Sequence, residues 1–293
     1  KTIKEKKVKI LDIASNDGTF LAFFKKKKFF KVGIDPAKNL LKFAKKNKIE
    51  QLPLFFTEKN SLILLKKYGK FDVITANNVC AHVDDLHNFF LGVKNLINEN
   101  GIFVFEVSYL GDVIRKKTFD TIYHEHLDYH ALKPLISFVK KFDLEIFDFK
   151  KTEAQGGSIR IYVANINTKR INKVKINNQI KFEKEKLKLF KINTYIKFNK
   201  DVNLVGEKLR KILREIKEEG NKIIGYGAAA KTTTLTNYFK INKKYLDFIV
   251  DDNKLKQNLY TPKYKIAIKN PKTIYKYKPN YTIILAWNYS KHI

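Results

Sequence analysis

Short apolar segments alternate with predicted helices through the first hundred residues of the chain. The apolar segments predict strands, and helices at 19–28 and 36–48 fill the first intervals between them. Strands that alternate with helices favour a parallel sheet with helices on both faces, which is an α/β fold. The last two predicted strands are close in sequence and are expected to form an antiparallel pair at the sheet edge. The predicted strands cover residues 8–13, 30–35, 52–56, 71–76, 101–106, 143–149 and 158–164.

A second α/β region follows a long, highly charged segment. Residues 174–219 have apolar residues three and four apart, which predicts long helices, with breaks at Asn193 and Asn203. After Gly220 the pattern of strand, turn and helix returns. Strands are predicted at 222–226, 245–250 and 281–286, with a helix at 228–238. The predicted organisation is an α/β domain at 1–168, a helical linker at 169–220 and a smaller α/β domain at 221–293.

The formal net charge of +30 first suggests nucleic acid as a partner. Only five of the 59 basic residues are Arg, however, and bidentate recognition of bases favours Arg. Lys, Asn and Ile are all frequent, which is typical of an AT-rich genome, so we expect no nucleic-acid partner. The charge would still attract phosphorylated substrates. No run approaches the roughly 18 apolar residues that span a bilayer, so we expect no membrane partner and a cytoplasmic protein.

A single cysteine, Cys80, limits the covalent and metal chemistry of the chain. It excludes an internal disulfide and any zinc site built from several thiolates. It also gives no sign of an oxidising compartment. No metal site is predicted.

The segment 121–130 holds three of the six histidines, two carboxylates and two tyrosines in ten residues. Histidine titrates near neutrality, so such a cluster can accept or donate protons. The alternative is a polar loop whose histidines serve only as hydrogen-bonding groups. Three histidines beside a glutamate favour a functional site, because titratable groups gather in active sites.

Two turns in the first domain have the residues expected of a cofactor site. The small residues of 12–18 let a ligand approach the backbone as the chain leaves the first strand. Asp35 ends the second strand, 23 residues after Asp12, where a carboxylate can hold both ribose hydroxyls of an adenosine. Asn77 and His82 follow the fourth strand. Because ligands bind at the carboxyl ends of parallel strands, these four side chains are expected to face one crevice. An ordinary βα turn is the alternative.

Two more glycine-rich turns occur later in the chain. Residues 156–160 form a tight turn into a strand, for which a simple β-turn is an equal alternative. Residues 225–234 lead from a strand into a helix, where backbone amides, hydroxyls and Lys231 favour a phosphate. The spacing is not that of a nucleotide-hydrolysing P-loop. Neither strand-to-helix turn has the G-x-G-x-x-G pattern, which disfavours a nicotinamide-dependent oxidoreductase.

Together these residues resemble the S-adenosylmethionine-dependent C-methyltransferases of nucleotide-linked deoxysugars. Each matching stretch is short, but the stretches occur in the order of that family and span nearly the whole chain. They are 12–18 (DIASNDG), 78–83 (NVCAHV), 119–126 (FDTIYHEH), 156–160 (GGSIR), 225–231 (GYGAAAK), 251–257 (DDNKLKQ) and 286–289 (AWNY).

The resemblance implies a Rossmann-like methyltransferase domain, a helical linker and a second, smaller Rossmann-like domain. It implies S-adenosyl-L-methionine as cofactor and a nucleotide-diphosphate sugar bound between the domains. The cofactor-binding residues would be Asp12, Ala14, Asn16, Gly18, Asp35 and Asn77. The substrate-binding residues would be Gly157, Arg160, Tyr226, Lys231 and Asn288.

The resemblance also implies that Tyr123, Glu125 and His126 line the sugar site, with His126 as general base and His82 close by. The carbon beside a ketone must lose a proton to form an enolate before it can be methylated. A histidine within about 3 Å of that proton can remove it. Tyr123, Glu125 or His82 is expected to stabilise the enolate oxygen or to orient the base.

The chain departs from the family at three places. Many members begin with a cysteine-rich zinc module, which this sequence lacks, so no zinc and a monomer are expected. The sequence ends soon after Asn288, so the C-terminal sheet is expected to lack its last elements. Thr232 and Thr233 replace a pair that is usually Gly-Asn. Two other functions remain open: an RNA methyltransferase with salt-sensitive binding, and a sugar-nucleotide-binding protein without activity.

Overall fold

The computed structural model describes residues 7–166, 171–290 and 293. These residues form two compact units. The first unit contains the described chain up to Gly111 and then Leu127–Lys188, and the second contains Asp112–His126 and Leu189–Ile293. The segment predicted as a linker at 169–220 is therefore divided between the units. The histidine-rich segment is divided too, since its residues up to His126 belong to the second unit.

A seven-stranded sheet forms the centre of the first unit. Its strand order is β3-β2-β1-β4-β5-β7-β6. The five strands β1 to β5 pair in parallel, and β6 and β7 form an antiparallel pair at the sheet edge, as the sequence predicts. The antiparallel pairing of β7 with β5 was not predicted. The chain order reverses at β1, whose neighbours are β2 and β4, so ligands are expected beyond its carboxyl end. The strands are β1 (Val8–Ile13), β2 (Phe29–Ile34), β3 (Glu50–Leu52), β4 (Phe71–Asn77), β5 (Ile97–Ser108), β6 (Leu144–Thr152) and β7 (Ser158–Asn165).

Side-chain caps begin three of the described helices around this sheet, α3, α4 and α7. The Thr57 hydroxyl accepts the N–H of Asn60 at the start of α3, and the Asp85 carboxylate accepts the N–H of Asn88 at the start of α4. None of the helices in the described ranges is long and apolar enough to cross a membrane. The helices are α1 (Thr19–Ala22), α2 (Leu41–Lys46), α3 (Glu58–Tyr68), α4 (Leu86–Leu96), α5 (Leu110–Lys116), α6 (Leu132–Val139) and α7 (Lys173–Lys181).

Two predicted elements of the first unit have different bounds in the structure. The strand predicted at 52–56 pairs only over β3, which ends at Leu52, because Pro53 has no N–H to donate. The helix predicted at 19–28 ends at Ala22. Four consecutive lysines follow it at 25–28, and their like charges disfavour a continued helix.

Aromatic rings fill the core of the first unit on one side of β5. Phe90 packs edge-on against Phe103 and Phe105 at centroid distances of 5.7 and 5.8 Å, and against Phe138 at 5.2 Å. All except Phe138 are fully buried. Edge-to-face packing of this kind stabilises a core beyond the area that it buries.

A buried carboxylate caps α6. Glu183 is fully buried in a π-helical turn, Phe182–Lys186, and accepts the N–H groups of Leu132 (2.8 Å) and Lys133 (3.1 Å). The hydroxyl of Tyr109 also donates to it at 3.2 Å. Glu183 therefore satisfies N–H groups that the first turn of α6 cannot bond itself.

A parallel four-stranded sheet of order β10-β9-β8-β11 forms the centre of the second unit. A 27-residue helix, α8, precedes it and packs closely on the sheet helix α9: a Cβ atom on Gly206 would lie 2.4 Å from the Phe239 ring. The elements are α8 (Ile192–Glu218), β8 (Ile223–Tyr226), α9 (Ala230–Tyr238), β9 (Ile249–Val250), β10 (Ile268–Lys269), α10 (Thr273–Tyr277) and β11 (Tyr281–Ile284).

The predicted helix break at Asn203 is wrong, because α8 runs through that residue. The Asn203 amide bonds to side chains instead of the backbone: it donates to Asn199 Oδ1 and accepts the hydroxyl of Tyr238 at 3.0 Å. An asparagine occupied in this way no longer competes with the helix. The break predicted at Asn193 occurs just before it, since α8 begins at Ile192.

The strand predicted at 245–250 pairs only at Ile249–Val250. The N–H groups of Tyr245 and Leu246 donate to the Asn242 carbonyl oxygen in a turn, which removes them from the sheet.

Candidate active site

The turn after β1 has a conformation that L-residues rarely adopt. Ala14, Asn16 and Gly18 have φ angles of 54°, 52° and 77°. The N–H of Ala14 donates to the Ile34 carbonyl oxygen on β2 at 2.8 Å. The chain therefore reverses tightly at the carboxyl end of β1, and the three predicted cofactor residues lie in this turn.

Asp35 joins the ends of β1 and β2. It is buried, its Oδ2 accepts the N–H of Asn16 at 3.0 Å, and its Oδ1 accepts the N–H of Ala37 at 2.8 Å. Each carboxylate oxygen has a further lone pair for a ligand. Asp35 thus lies where the sequence predicts it, at the carboxyl edge of the sheet.

Asp12 lies in β1, one residue before the strand ends, and is 4% exposed. Burial raises its pKa to about 7; the Thr75 hydroxyl, which donates to Asp12 Oδ1 at 2.6 Å, opposes this rise, and the negative charge of Asp35 adds to it. Asp12 is therefore close to half-protonated at neutral pH.

Gln51 supports the turn, and the sequence patterns did not identify it. Its Oε1 accepts the Ser15 hydroxyl at 3.1 Å and its Nε2 donates to the Asn16 carbonyl oxygen at 3.0 Å. Gly33 leaves room for this contact, since a Cβ atom there would lie 2.4 Å from Ser15 Oγ. The strand predicted at 52–56 begins one residue after Gln51, so no sequence signal pointed to this side chain.

A cavity of about 390 Å³ opens beside this turn, within the size range of small-molecule sites. It includes two predicted residues, Ala14 and His82, and its aromatic wall was not predicted. Asp35 lies between two residues that line it, Ile34 and Pro36. Asp12, Asn16, Gly18 and Asn77 do not line it. The lining residues are Ile13, Ala14, Ile34, Pro36, Phe55, Phe56, Thr57, Val79, His82, Val83, Asp84, Asp85, Asn88 and Phe89.

Asn77 ends β4 and is exposed. The next residue, Asn78, has φ 55° and donates its N–H to the Glu106 carbonyl oxygen at 2.8 Å. The fourth strand therefore ends in a tight turn beside β5.

Arg160 and Gly157 lie at the β5–β7 pairing, where the structure gives both of them partners. Arg160 Nε and Nη2 donate to Glu106 Oε2 at 2.9 and 2.8 Å, and Glu106 is buried. The Gly157 carbonyl oxygen accepts the N–H of Tyr109 at 3.1 Å. A buried carboxylate with a two-pronged arginine partner is a structural ion pair as well as a site candidate.

The predicted base belongs to the second unit. His126 Nδ1 lies 2.6 Å from the carbonyl oxygen of Thr121, and the ring of Tyr123 lies 4.3 Å from its ring, centroid to centroid. A carbonyl oxygen can only accept, so Nδ1 carries the hydrogen, and Nε2 of the neutral ring carries the lone pair. Burial, and then the charge of Glu125, raise the pKa of Tyr123, which stays a neutral donor at physiological pH.

The turn after β8 repeats the arrangement seen after β1. Asp251 follows β9; its Oδ2 accepts the N–H of Ala228 at 2.7 Å and its Oδ1 accepts the N–H of Asn253 at 2.8 Å. Gly227 has φ 93°, and a Cβ atom there would lie 2.4 Å from Cβ of Ala286. Asp251 was visible in the sequence as an acidic residue after a strand, but it was not among the predicted site residues.

The other predicted substrate residues surround this second turn. The Tyr226 hydroxyl donates to Asp252 Oδ2 at 3.0 Å. Lys231 is buried in the first turn of α9, and Asn288 is half-buried in the short helical turn Trp287–Tyr289. Lys231 Nζ lies 5.2 Å from the centroid of the Trp287 ring.

Asp120 and Trp287 form a contact that sequence reasoning missed. The Trp287 Nε1–H donates to Asp120 Oδ2 at 2.6 Å, across 167 residues of chain. Asp120 lies in the family-like stretch 119–126 and Trp287 in the stretch 286–289, but nothing in the sequence indicates that the two are in contact. Across the described part of the chain, no group of three or more His, Cys, Asp or Glu side chains is arranged to hold a metal ion.

Two family models cover almost the whole chain. The model described as a methyltransferase domain matches residues 2–148, and the model described as a C-methyltransferase C-terminal domain matches residues 153–293. The chain belongs to the S-adenosylmethionine-dependent C-methyltransferases. This C-methyltransferase is similar to C-methyltransferase NovU of Streptomyces niveus, with 28% identity over 284 residues. The match covers 97% of the chain and 67% of the relative.

Solved structures overlap with part of this C-methyltransferase. PKMT2 from Rickettsia typhi, in complex with AdoHcy, is 17% identical with a TM-score of 0.43, over 59% of this chain and 52% of that one. The chain thus spans about half the length of that protein. A SAM-dependent methyltransferase from Anabaena variabilis is 15% identical with a TM-score of 0.44, over 54% and 77%. We assign the fold from the strand order of this chain itself.

Proposed function

We propose that this protein methylates the carbon beside the ketone of a nucleotide-diphosphate 4-keto-deoxysugar. The observation that carries the proposal is the 2.6 Å contact between His126 Nδ1 and the Thr121 carbonyl oxygen. It leaves Nε2 as the ring nitrogen that can accept a proton, and it lies in the same unit as the glycine-rich turn after β8. A base and a phosphate-type turn in one unit suit proton removal from a nucleotide-linked substrate.

The cavity beside the β1 turn has the chemistry that S-adenosylmethionine requires. Its apolar walls, Phe55, Phe56 and Val79, suit an adenine ring. Asp35 suits the ribose hydroxyls, and Ala14 and Asn16 suit the remainder because their turn exposes backbone to a ligand. The donor set therefore fits the cofactor, which supplies an electrophilic methyl group when it is bound.

The residues of the second unit would handle the substrate and its proton. His126 Nε2 accepts the proton from the substrate carbon, and the electron pair of the broken C–H bond moves into the enolate. The Tyr123 hydroxyl is a neutral donor suited to the enolate oxygen. We assign the orientation of this hydroxyl to Glu125, whereas His82 lines the cavity of the first unit. After transfer the imidazolium returns its proton to solvent.

The turn after β8 would hold the nucleotide. Its backbone N–H groups and Lys231 suit the diphosphate, while Tyr226 and Asn288 flank the turn. Asp251 follows β9 as Asp35 follows β2. This position of the Asp251 carboxylate would suit the hydroxyls of a second ribose. Arg160 has two nitrogens on Glu106, so any substrate contact would use the exposed part of its guanidinium; Gly157 would contribute backbone only.

The direct test is mass spectrometry of reactions with methyl-labelled S-adenosylmethionine and a panel of nucleotide 4-keto-6-deoxysugars. The expected result is one labelled methyl group on a sugar carbon. A parallel reaction with RNA tests the alternative suggested by the charge. Transfer to RNA, or calorimetric binding of both ligands without turnover on any sugar, would overturn the proposal.

A further inference from the structure

A buried carboxylate in the second unit lies between the predicted base and the phosphate-type turn. Asp120 is 2% exposed, and it belongs to the short helical turn Phe119–Thr121 that precedes the base. It accepts the indole N–H of Trp287 at 2.6 Å. A buried carboxylate whose partner lies in a distant turn fixes one segment of chain against the other.

We propose that Asp120 is a positioning residue for His126: through its hydrogen bond to Trp287 it fixes the turn whose Thr121 carbonyl holds Nδ1 of the base. The inference rests on the proposed function for the role of His126. It adds two residues, Asp120 and Trp287, that touch neither the reacting carbon nor its proton.

The turn Phe119–Thr121 is held on both sides of Asp120. The Phe119 ring packs 4.6 Å from the ring of Phe239 and 5.1 Å from that of Tyr238. Thr121 is buried, and its hydroxyl donates to the Thr118 carbonyl oxygen at 2.8 Å. Asp120 is the middle residue of the turn, and its hydrogen bond to Trp287 adds a third contact to those of Phe119 and Thr121.

This turn determines which ring nitrogen of His126 carries the hydrogen. Three residues in a helical turn have their carbonyl directions fixed together. The Thr121 carbonyl can orient the imidazole only while the turn keeps its conformation, because the 2.6 Å hydrogen bond to Nδ1 depends on the direction of that carbonyl. If the turn relaxes, the ring can rotate or exchange tautomers, and Nε2 loses its lone pair for part of the time.

Asp120 also lies close to a buried lysine of the phosphate-type turn. Burial raises the pKa of Asp120, while the Trp287 N–H and then the Lys231 ammonium lower it. Lys231 is itself buried, and its Nζ lies over the Trp287 ring at 5.2 Å. Asp120, Trp287 and Lys231 therefore form one cluster, and Lys231 belongs to the turn assigned to the diphosphate. The same cluster would hold the base loop and the phosphate-binding lysine together.

Three variants separate the hydrogen bond from the charge. Asp120→Ala removes the acceptor, and Trp287→Phe removes the donor while it keeps a ring beneath Lys231. Asp120→Asn keeps an acceptor for Trp287 but loses the charge. We expect kcat to fall at least about tenfold in Asp120→Ala and in Trp287→Phe, with KM for the cofactor changed by less than about twofold. Asp120→Asn is expected to keep most of the kcat.

The decisive readout is the ¹⁵N NMR spectrum of the His126 ring in the full chain, assigned with His126→Asn. The native protein is expected to show hydrogen on Nδ1, and Asp120→Ala and Trp287→Phe a mixture of tautomers. Unchanged His126 shifts in both variants would overturn the proposal, and so would a loss of kcat in Asp120→Asn equal to that in Asp120→Ala. The spectra need no substrate. They test the positioning role even if no sugar is methylated, a result that would contradict only the proposed function.

Discussion

The Nδ1 atom of His126 lies 2.6 Å from the carbonyl oxygen of Thr121. This single contact selects one tautomer of the ring, because the oxygen can only accept a hydrogen bond. It also means that the backbone five residues upstream determines which ring nitrogen carries the hydrogen.

Replacing His126 by Asn should abolish methyl transfer and leave the cofactor site intact. Asn has no nitrogen that is basic near pH 7, whereas the cavity for the cofactor lies in the first unit. Transfer of labelled methyl and calorimetry with S-adenosylmethionine measure the two effects. His124→Asn, an exposed change in the same loop, is the control and should retain activity. Full activity in His126→Asn would exclude this residue as the base.

Replacing Asp12 by Asn should stabilise the protein increasingly as pH rises from about 4 to 7. The native carboxyl keeps its proton up to about pH 7, while the unfolded one releases it near 3.8, so ionisation weakens the native state across that window. Above about pH 7 the difference in free energy of unfolding between Asp12→Asn and the native protein becomes constant, on the order of 2 to 4 kcal/mol. Urea unfolding at pH 5 and pH 8 measures the difference.

Asp17→Asn, in the same turn, is the control for Asp12→Asn. The Thr19 N–H lowers the pKa of Asp17, so its contribution is lost only in acid below this range. The effect of Asp17→Asn should therefore be constant between pH 5 and pH 8. A gain from Asp12→Asn that is equal at the two pH values would contradict the pKa assigned to Asp12.

Replacing Gly227 by Ala should weaken the second unit more than Gly220→Ala does. Both glycines have positive φ, so each change strains the backbone by about 1 kcal/mol. A Cβ atom on Gly220 meets nothing within 4 Å, whereas one on Gly227 lies 2.4 Å from Cβ of Ala286 and adds an overpacking cost of about 1–3 kcal/mol. Urea unfolding measures stability, and calorimetry with a nucleoside diphosphate should show weaker binding only for Gly227→Ala. Equal effects of the two changes would disprove the close approach.

Replacing Glu183 by Gln should destabilise the first unit by about 1–3 kcal/mol. The amide nitrogen of Gln would face one of two N–H donors, those of Leu132 and Lys133, that both carboxylate oxygens now accept. Glu185→Gln on the same turn is the control; its ion pair with Lys181 is exposed and should contribute less than about 1 kcal/mol. Thermal and urea unfolding compare the pair, and equal losses would show that Glu183 does not cap α6.

The two sheets and their turns could be predicted from the sequence because each depends on local pattern. Asp35 follows an apolar strand, and Gly227 follows another, so a short stretch of sequence is enough to place each at a strand end. The contact between Asp120 and Trp287 could not be predicted, because it joins residues 167 positions apart with nothing periodic between them. The predicted bounds of β3 and β9 were wrong because of local turns. Pro53 has no N–H to donate to a sheet, and the Asn242 carbonyl oxygen accepts the N–H groups of Tyr245 and Leu246, which the apolar pattern alone assigns to a strand.

Residues 112–126 leave the first unit at Gly111, pack in the second, and return at Leu127. The loop that carries the proposed base, His126, is thus connected at both ends to chain of the first unit, while its packing partners belong to the second. A recombination event that exchanged the part of the gene encoding the C-terminal half of the chain would replace Trp287 and Phe239, the partners of Asp120 and Phe119. We expect such an exchange to lower activity, since it would separate Asp120 from Trp287 and Phe119 from Phe239.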